Sequence, residues 1–313
     1  MHLSVVLSSQ SNKSLLPTDI PLYEPDQSST AKLLDGYTFR LLLGSGSDET
    51  NGDVFLDVLS IGGITATSQA VESVINYTSL FTEQGGTGIV GMGLDKNNTV
   101  RPVKQKTFFD NIKDELALPL ITADLYLEAE GSFNFGYINE SLIDGDMTWA
   151  DVDTSDSQQG WWSIPVDGFR VGSGPFVASP FPAIVDTGTT LVFFPSSVVN
   201  AYYADVPGSL NSTEFGGFVF PCNQSLPDFK VAISGVEFTI PGDQLTLDFV
   251  VGDRCFGTMQ ALPPPVVPDL PQPTAVLGAL FMLRYLAAFD LGKLQVGFAQ
   301  KRFIENVSIS SVL

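Results

Sequence analysis

The sequence has little of what many catalytic and metal sites require, since histidine occurs once and cysteine twice in 313 residues. The single histidine, His2, stands at the start of the chain, where residues are least often ordered. A Ser-His-Asp site would have to use it, and no Gly-x-Ser-x-Gly elbow is present. Zinc sites of several His or Cys ligands are excluded by count, and no Walker loop occurs. We therefore expect a site without metal or cofactor, whose working groups are carboxylates or hydroxyls.

Basic residues are scarce as well: 15 Lys and Arg stand against 35 Asp and Glu, which gives a formal net charge of −20 at pH 7. A surface of that sign repels nucleic acid and anionic membranes, so we expect neither as a partner. The charge fits either an ordinary soluble acidic protein or a protein made for acidic surroundings. In acid, protonation of many carboxylates would reduce the self-repulsion of the chain.

Long apolar runs are also missing. No stretch reaches the roughly 18 apolar residues that a membrane span needs, and Arg284 interrupts the most apolar tract, 275–289. Residues 1–10 lack the basic region of a signal peptide and hold only a short apolar run.

The apolar residues, 44% of the chain, occur in short alternating runs separated by Gly, Asn, Asp and Ser. Such runs predict strands and hairpins, for example at 38–43, at 54–61, and within 228–240 on both sides of the turn Ser234-Gly235. Helical patterns are few: one covers 107–118 and another 196–204. A strand-rich chain with isolated short helices predicts an all-β protein.

One carboxylate is set apart by apolar residues that lead into it and out of it: Asp186, in the sequence Ala-Ile-Val-Asp-Thr-Gly-Thr-Thr-Leu at 183–191. The pattern predicts a tight turn between two buried strands, where Gly188 frees the backbone and lets a ligand approach. The hydroxyl of Thr187, if buried there, requires a hydrogen-bond partner. An ordinary Asp-containing turn is the alternative, but the apolar flanks favour a functional carboxylate.

A weak internal repeat supports this choice. Residues 88–94, Gly-Ile-Val-Gly-Met-Gly-Leu, resemble residues 274–280, Thr-Ala-Val-Leu-Gly-Ala-Leu, since each has an apolar pair followed by glycine. Glycine inside a strand usually marks a bend or a close backbone approach. Gly278 follows Asp186 by 92 residues, and the same spacing counted back from Gly91 leads to just before Met1.

With these features in place, the sequence resembles the pepsin-like aspartic proteases, most closely their fungal, penicillopepsin-like members. The matching segments follow one another along nearly the whole chain: 23–30, 43–47, 52–55, 62–72, 107–110, 135–138, 160–164, the Asp-Thr-Gly-Thr turn at 186–189, Cys222, Cys255 and 295–299.

The resemblance implies a bilobal all-β fold. An incomplete N-terminal lobe would take residues 1–150 and carry a flap hairpin, a C-terminal lobe would take 151–303, and 304–313 would form a tail. It also implies a disulfide between Cys222 and Cys255. The implied activity is hydrolysis of peptide bonds in proteins at acidic pH, on a substrate held in an extended conformation, by a secreted protein that we expect to be a monomer.

The residues that the resemblance assigns to the site are few. Asp186 would be catalytic, with Thr187, Gly188 and Thr189 as the supporting turn. Substrate contacts would come from Gly188, Thr189 and Thr190 on one side and from the flap tip on the other. The flap-tip residues are Leu43, Gly44 and Ser45.

Peptide hydrolysis of this kind needs two carboxyl groups, because one must deprotonate a water while the other protonates the substrate. Two carboxyls roughly 3 Å apart share one proton and supply both roles. The sequence holds a single Asp-Thr-Gly, so we expect the first such turn just upstream of Met1. In that case the strand at 89–94 loses its partner near the missing turn, and we expect unpaired backbone groups and exposed apolar surface there.

The sequence departs from the family pattern at other places too. Leu43 stands where the family's flap has tyrosine, Ser45 where fungal relatives often have aspartate, and Ala279 where the family usually has aspartate. Two hypotheses remain: an aspartic endopeptidase whose first turn lies upstream, or a catalytically inactive, pepsin-shaped protein that binds peptides by strand addition. A glycosidase built on two other carboxylates is disfavoured, because no second acid has comparable apolar flanks.

Secretion is favoured by two features that are weak individually. A disulfide requires an oxidising compartment. Asn-x-Ser/Thr sequons, the acceptor sequences for N-glycosylation, are frequent. They begin at Asn12, Asn76, Asn97, Asn139, Asn211, Asn223 and Asn306.

Overall fold

The structure is a computed structural model, and it describes residues 4–11, 20–43, 48–77, 87–155, 158, 160–263 and 274–303. The chain forms two compact units. The first comprises Met1–Leu116, Gln159–Trp161 and Pro263–Gln272, and the second Ala117–Gln158, Trp162–Leu262 and Pro273–Leu313. The lobe boundary predicted between 150 and 151 stays a prediction, whereas the compact units divide after Leu116.

The first unit is built on one sheet with the strand order β2-β3-β4-β1-β5. Its strands are β1 (Ser4–Leu7), β2 (Lys32–Leu43), β3 (Asp48–Ile61), β4 (Ile64–Asn76) and β5 (Gly88–Val90). The strands predicted at 38–43 and 54–61 lie within β2 and β3, so both predictions are confirmed. Strands β2, β3 and β4 are antiparallel neighbours, whereas β1 runs parallel to β4.

Residues 23–30, which precede β2 and resemble the protease family, are hydrogen-bonded to Asp57 on β3. The Asp57 carboxylate accepts hydrogen bonds from the hydroxyls of Tyr23 at 2.9 Å, Ser28 at 3.1 Å and Thr30, and from the backbone N–H of Val58 at 2.7 Å. Burial alone would raise the pKa of Asp57, but these donors outweigh it and lower the pKa. The segment is thus held by an ionised carboxylate.

The core of the first unit lies on one face of its sheet and contains Val5, Val54, Ala70 and Val74, none more than 2% exposed. Glu72 shares this face, because it stands between Ala70 and Val74 on β4 and pairs with Val5 and Val54 across the sheet. Glu72 is 0% exposed, and neither carboxylate oxygen accepts a hydrogen bond of normal geometry. Burial raises its pKa from 4.5 to about 8, an effect that the neighbouring Thr99 hydroxyl only partly offsets.

The helix predicted at 107–118 is shorter in the structure. It covers Phe108–Ile112, begins after Thr107, whose hydroxyl accepts from the N–H of Asp110, and continues as a 3₁₀ turn at Lys113–Glu115. The prediction was wrong for the last residues, because the N–H of Leu118 donates to Gly136 and the chain there is already extended.

In the part of the chain that is described, the second unit has three sheets. The largest has the order β15-β14-β9-β10-β19-β11-β18. Its strands are β9 (Ser163–Val171), β10 (Val177–Val185), β11 (Val192–Phe194), β14 (Phe229–Ile233), β15 (Val236–Ile240), β18 (Met259–Ala261) and β19 (Val276–Leu277). The hairpin predicted around Ser234-Gly235 is confirmed, with φ of 49° and 77° at its two turn residues.

The two smaller sheets have the orders β12-β13-β17-β16 and β7-β6-β20-β21-β8. The first contains β12 (Leu210–Ser212), β13 (Gly217–Pro221), β16 (Thr246–Val251) and β17 (Arg254–Gly257). The second contains β6 (Leu120–Asp124), β7 (Ser132–Phe135), β8 (Ile143–Asp151), β20 (Tyr285–Asp290) and β21 (Gln295–Lys301).

The pairing of β6 and β8 explains where the compact units divide. Strand β6 is hydrogen-bonded to β20, and β8 to β21, so residues 120–151 belong with the end of the chain. An ion pair reinforces this link, because the ammonium of Lys301 on β21 lies 2.8 Å from the carboxylate of Asp124 on β6. Lys301 also donates to the carbonyl of Leu125 and lies 4.2 Å from the ring centre of Tyr126.

Helices are short throughout the described residues. The helix predicted at 196–204 is confirmed as Ser196–Ala204, and it buries Tyr202 and Tyr203. A further short helix, Ala279–Met282, follows β19. Among the helices that are described, none is long and apolar enough to cross a membrane.

The burial of Glu72 predicts a pH dependence of stability. Because the folded state favours the protonated carboxyl, its contribution is fully present below the unfolded pKa of 4.5 and is lost as pH rises toward the folded pKa of about 8. Within that window each pH unit lowers the free energy of unfolding by about 1.4 kcal/mol. We expect Glu72→Gln to remove most of this decline, and thermal unfolding of both proteins followed from about pH 4 to 8.5 checks it.

The matched control for this experiment is Glu24→Gln, since Glu24 is an exposed glutamate of the same unit. Its pH profile should follow that of the unchanged protein. If stability declined with pH equally steeply in Glu72→Gln and in the unchanged protein, Glu72 would not be the group that causes the decline.

Candidate active site

The Asp-Thr-Gly turn lies at the end of β10, beside the end of β19. Strand β19 pairs in parallel with β10, through Ile184 with Val276 and Val185 with Leu277. On its other side β19 pairs in antiparallel fashion with β11, through Phe193 and Val276. The turn that joins β10 to β11 therefore passes over the end of β19, which lies between the two strands.

The internal repeat seen in the sequence is present in the strand pairing of each unit. Strand β5 pairs in antiparallel fashion with β1 through Val5 and Ile89, as β19 does with β11. Strand β1 is parallel to β4, as β11 is to β18. The two halves of the repeat thus use the same local topology.

In the first unit, the copy of the repeat differs from that in the second unit on one side of its last strand, β5. Strand β5 covers Gly88–Val90 instead of the predicted 89–94, and in the described residues it pairs with β1 on one side. Its other side is an edge of the described sheet, and Val90 there is 43% exposed. The expected apolar exposure is present at this position.

Backbone contacts fix the position of the turn. The N–H of Asp186 donates to the carbonyl of Leu277 at 3.1 Å, and the N–H of Ala279 donates to the carbonyl of Thr189 at 2.7 Å. Gly278 is enclosed between these contacts, since a Cβ added there would lie 2.0 Å from the carbonyl oxygen of Leu191 and 2.4 Å from that of Thr189. Only glycine allows the backbone to approach so closely at this point.

The carboxylate of Asp186 is held by its own turn. Its Oδ1 accepts a hydrogen bond from the N–H of Gly188 at 3.0 Å, and its Oδ2 accepts one from the hydroxyl of Thr189 at 2.7 Å. Both donors are neutral groups, and they restrain rotation of the carboxylate while leaving lone pairs on both oxygens. Asp186 is partly exposed, so a water or a substrate group can reach those lone pairs.

This arrangement can perform one part of a hydrolytic reaction. An oriented carboxylate accepts a proton from a bound water and so acts as a general base. It cannot at the same moment donate a proton to the carbonyl oxygen or to the leaving amine. A second acid is required to complete the reaction.

The predicted site residues are in part brought together. Gly188 and Thr189 contact Asp186 directly, whereas in the described part of the chain no hydrogen bond involves the Thr187 hydroxyl. Thr190 is exposed and its carbonyl accepts from the N–H of Leu280 at 3.2 Å. Of the predicted flap-tip residues, Leu43 ends β2, but its side chain is outside what the structure describes, as are Gly44 and Ser45 entirely.

Sequence reasoning missed the support that β19 gives to the turn. Residues 186–189 are positioned by the Leu277 carbonyl, by the Ala279 N–H and by the absence of a side chain at Gly278. None of these three residues was assigned to the site. The signal for them was the internal repeat, which singled out Gly278 without showing that it touches the turn.

The disulfide between Cys222 and Cys255 is confirmed, with an S–S distance of 2.06 Å and a Cα–Cα distance of 5.0 Å. It joins the end of β13 to β17, two strands that are hydrogen-bonded neighbours. A cross-link that closes a loop of this size stabilises the folded state by about 2 to 4 kcal/mol.

Comparison with known proteins relates nearly the whole chain to proteases. A family model described as eukaryotic aspartyl protease matches residues 5–301. The chain is 40% identical over 280 residues to penicillopepsin-3 of Penicillium janthinellum, a match that covers 89% of this chain and 68% of that relative. It is 42% identical over 243 residues to endothiapepsin of Cryphonectria parasitica, covering 77% of this chain and 57% of that relative.

A third relative is aspergillopepsin-1 of Aspergillus fumigatus, which is 37% identical over 281 residues, covering 89% of this chain and 68% of the relative. The match to endothiapepsin leaves more than a third of that relative outside the alignment, since it covers only 57% of its length.

The close approach at Gly278 yields a prediction about stability. We expect Gly278→Ala to destabilise the second unit by more than about 2 kcal/mol, because the new methyl group would overlap two backbone oxygens that cannot move independently. Chemical denaturation of both proteins measures the change. Gly174→Ala is the matched control, since its added Cβ would meet the Val171 carbonyl oxygen at 3.0 Å, a contact that a small shift relieves. Equal stability of the two variants would contradict the prediction.

Proposed function

The chain belongs to the eukaryotic aspartyl protease family, and from that premise we propose that it acts as an aspartic endopeptidase with Asp186 as one of its two catalytic carboxylates. The substrate is a protein or peptide segment in an extended conformation, cleaved at acidic pH. Among the findings, the geometry of Asp186 supports the proposal most directly. Its carboxylate is held from two directions by its own turn and remains open to a reactant.

The division of labour in this reaction follows from proton balance. One carboxylate takes a proton from the attacking water, and the oxygen of that water forms a bond to the carbonyl carbon of the peptide. The other carboxyl gives its proton to the carbonyl oxygen of the substrate. When the C–N bond breaks, the first carboxyl passes the proton taken from water to the leaving amine, and the former carbonyl oxygen returns its proton to the second carboxyl. Two carboxyls that share one proton supply base and acid together, which a lone aspartate does not.

Activity should therefore depend on a second carboxylate, and the 313 residues contain a single Asp-Thr-Gly, at 186–188. The test compares the 313-residue chain with a chain extended by whatever coding sequence lies upstream. Each is assayed on an unfolded protein substrate between about pH 2 and 5, the range in which known carboxylate pairs share a proton. The proposal expects pepstatin-sensitive cleavage by the form that contains a second Asp-Thr-Gly turn.

A second candidate function is peptide binding without cleavage. It is favoured by Leu43 in the place of the flap tyrosine and by Ala279 in the place of an aspartate. Retention of an extended peptide without hydrolysis by every form of the chain would establish this function and exclude the endopeptidase. Pepstatin-sensitive cleavage would exclude peptide binding alone.

Secretion is part of the proposal. The disulfide between Cys222 and Cys255 supports it, because such bonds persist in oxidising compartments. That the protein is a monomer stays a prediction, which sedimentation at micromolar concentration would check.

Within the active form, we predict that Asp186→Asn abolishes cleavage while leaving the fold intact, because the amide cannot accept the proton of the water. The loss expected is at least about 10³-fold in kcat/KM, as for the removal of an essential acid–base group. Circular dichroism and retention of peptide binding are the controls. Residual cleavage near the original rate would remove Asp186 from the reaction.

Thr189 offers a finer test, because its hydroxyl orients the carboxylate without itself reacting. Thr189→Val should lower kcat by about tenfold or more, whereas Thr189→Ser keeps the donor and should retain most of the activity. Thr67→Val, at an exposed position on β4, is the control for the loss of a threonine hydroxyl. Equal kcat for Thr189→Val and Thr189→Ser would show that this hydrogen bond has no role.

A further inference from the structure

The structure separates the seven sequons by the surroundings of their asparagines. Asn12 and Asn306 lie outside the described residues, as does Thr78, the third residue of the sequon at Asn76. The amide nitrogen of Asn76 donates to Asn51 at 2.9 Å. Asn139 caps the 3₁₀ turn Glu140–Leu142 and is only half-buried, unlike a fully exposed asparagine. Three sequons remain, beginning at Asn97, Asn211 and Asn223.

Asn97 is enclosed. Its amide nitrogen is buried and has no hydrogen-bond partner. Its backbone lies against Gly160, where an added Cβ would come within 2.5 Å of the Asn97 Cβ and 2.7 Å of its backbone nitrogen. An oligosaccharide on this nitrogen cannot be accommodated without opening the first unit.

Asn211 and Asn223, unlike Asn97, lie on the surface. Both asparagines are exposed, and so are the hydroxyl residues that complete their sequons, Thr213 and Ser225. Asn211 lies on β12, and Asn223 follows β13 next to Cys222. Within the described residues, the amide nitrogen of neither asparagine donates a hydrogen bond, so attachment at these atoms breaks no contact of the fold.

We propose that Asn211 and Asn223 are N-glycosylated and that Asn97 is not. The side-chain nitrogen loses a proton and forms a bond to C1 of the first sugar, while the bond from C1 to the pyrophosphate of a lipid-linked oligosaccharide donor breaks. The lipid pyrophosphate leaves with the electron pair. The modification depends on passage through the secretory pathway, which is part of the proposed function, but it does not depend on catalysis.

The position of Asn211 gives its glycan a physical consequence. Among the described strands, β12 is the edge of its sheet and pairs with β13 alone, and Leu210 beside Asn211 is 40% exposed. An edge strand with free backbone groups and an apolar side chain is a site for pairing with another chain. A hydrated oligosaccharide at the next residue obstructs that approach, so the protein without it should aggregate faster.

The test uses the full chain secreted from a eukaryotic host into the medium. The protein is treated with peptide N-glycosidase in ¹⁸O-water, which converts each glycosylated asparagine to labelled aspartate. Glutamate-specific cleavage after Glu214 places Asn211 and Asn223 in different peptides, so that each site is scored separately. The proposal expects label at both of these asparagines and none at Asn97.

Variants test the same sites on the intact protein. Asn211→Gln and Asn223→Gln should each remove one glycan from the mass, and Thr213→Ala and Ser225→Ala should do the same without changing the asparagine. Asn200→Gln, at an exposed asparagine outside any sequon, should leave the mass distribution of glycans unchanged. The Asn211 variant should also form aggregates sooner at equal concentration, while Asn200→Gln should not.

A non-reducing peptide map of the same secreted protein separates failure of this inference from failure of the proposed secretion. The Cys222–Cys255 peptide shows that the chain has folded in an oxidising compartment. Disulfide-bonded protein without label at Asn211 or Asn223 overturns the assignment of that site. Label at Asn97 overturns the separation of the sequons by burial.

Discussion

The site depends on the position of β19, which is hydrogen-bonded to β10 on one side and to β11 on the other. Its backbone bonds hold one end of the Asp-Thr-Gly turn through the Leu277 carbonyl and the other through the Ala279 N–H. Gly278 is required between them, because any side chain would separate the turn from the strand. The carboxylate of Asp186 owes its orientation to this framework, since both of its hydrogen-bond donors belong to the turn that the framework fixes.

The electrostatics of the molecule are consistent with acidic surroundings at two levels. The net charge of −20 at neutral pH diminishes as surface carboxylates are protonated. In the core of the first unit, Glu72 has no partner for a negative charge and is favoured in its protonated form. Asp57 behaves in the opposite way, because four donors surround it and stabilise the ionised form. Two carboxylates on the same sheet thus respond differently to pH according to the donors that each can reach.

Much of this arrangement could be predicted from the sequence, wherever the signal is local. The turn at Asp186 and the hairpin at Ser234-Gly235 were found because turn residues and alternating apolar runs lie side by side. The Cys222–Cys255 pairing came from the resemblance to a family. The predicted helix at 107–118 is α-helical to Ile112 and 3₁₀ to Glu115. It goes no further because the N–H of Leu118 donates to Gly136, and no local pattern reveals a partner so far along the chain. The roles of Leu277, Gly278 and Glu72 were missed for the same reason, since each is defined by strands that are distant in sequence.

The ion pair between Lys301 and Asp124 has a consequence for biosynthesis. Strands β6 and β8 emerge from the ribosome long before β20 and β21, with which they pair. The sheet that contains them cannot close until β20 and β21 have been synthesised, and Lys301, the buried cation of this ion pair, comes with β21. Until then the carboxylate of Asp124 and the buried side chains of β6 lack their native cover, and such exposed surface favours aggregation of partly folded chains. The order of strands in this sheet thus delays completion of the second unit until β21 has been made.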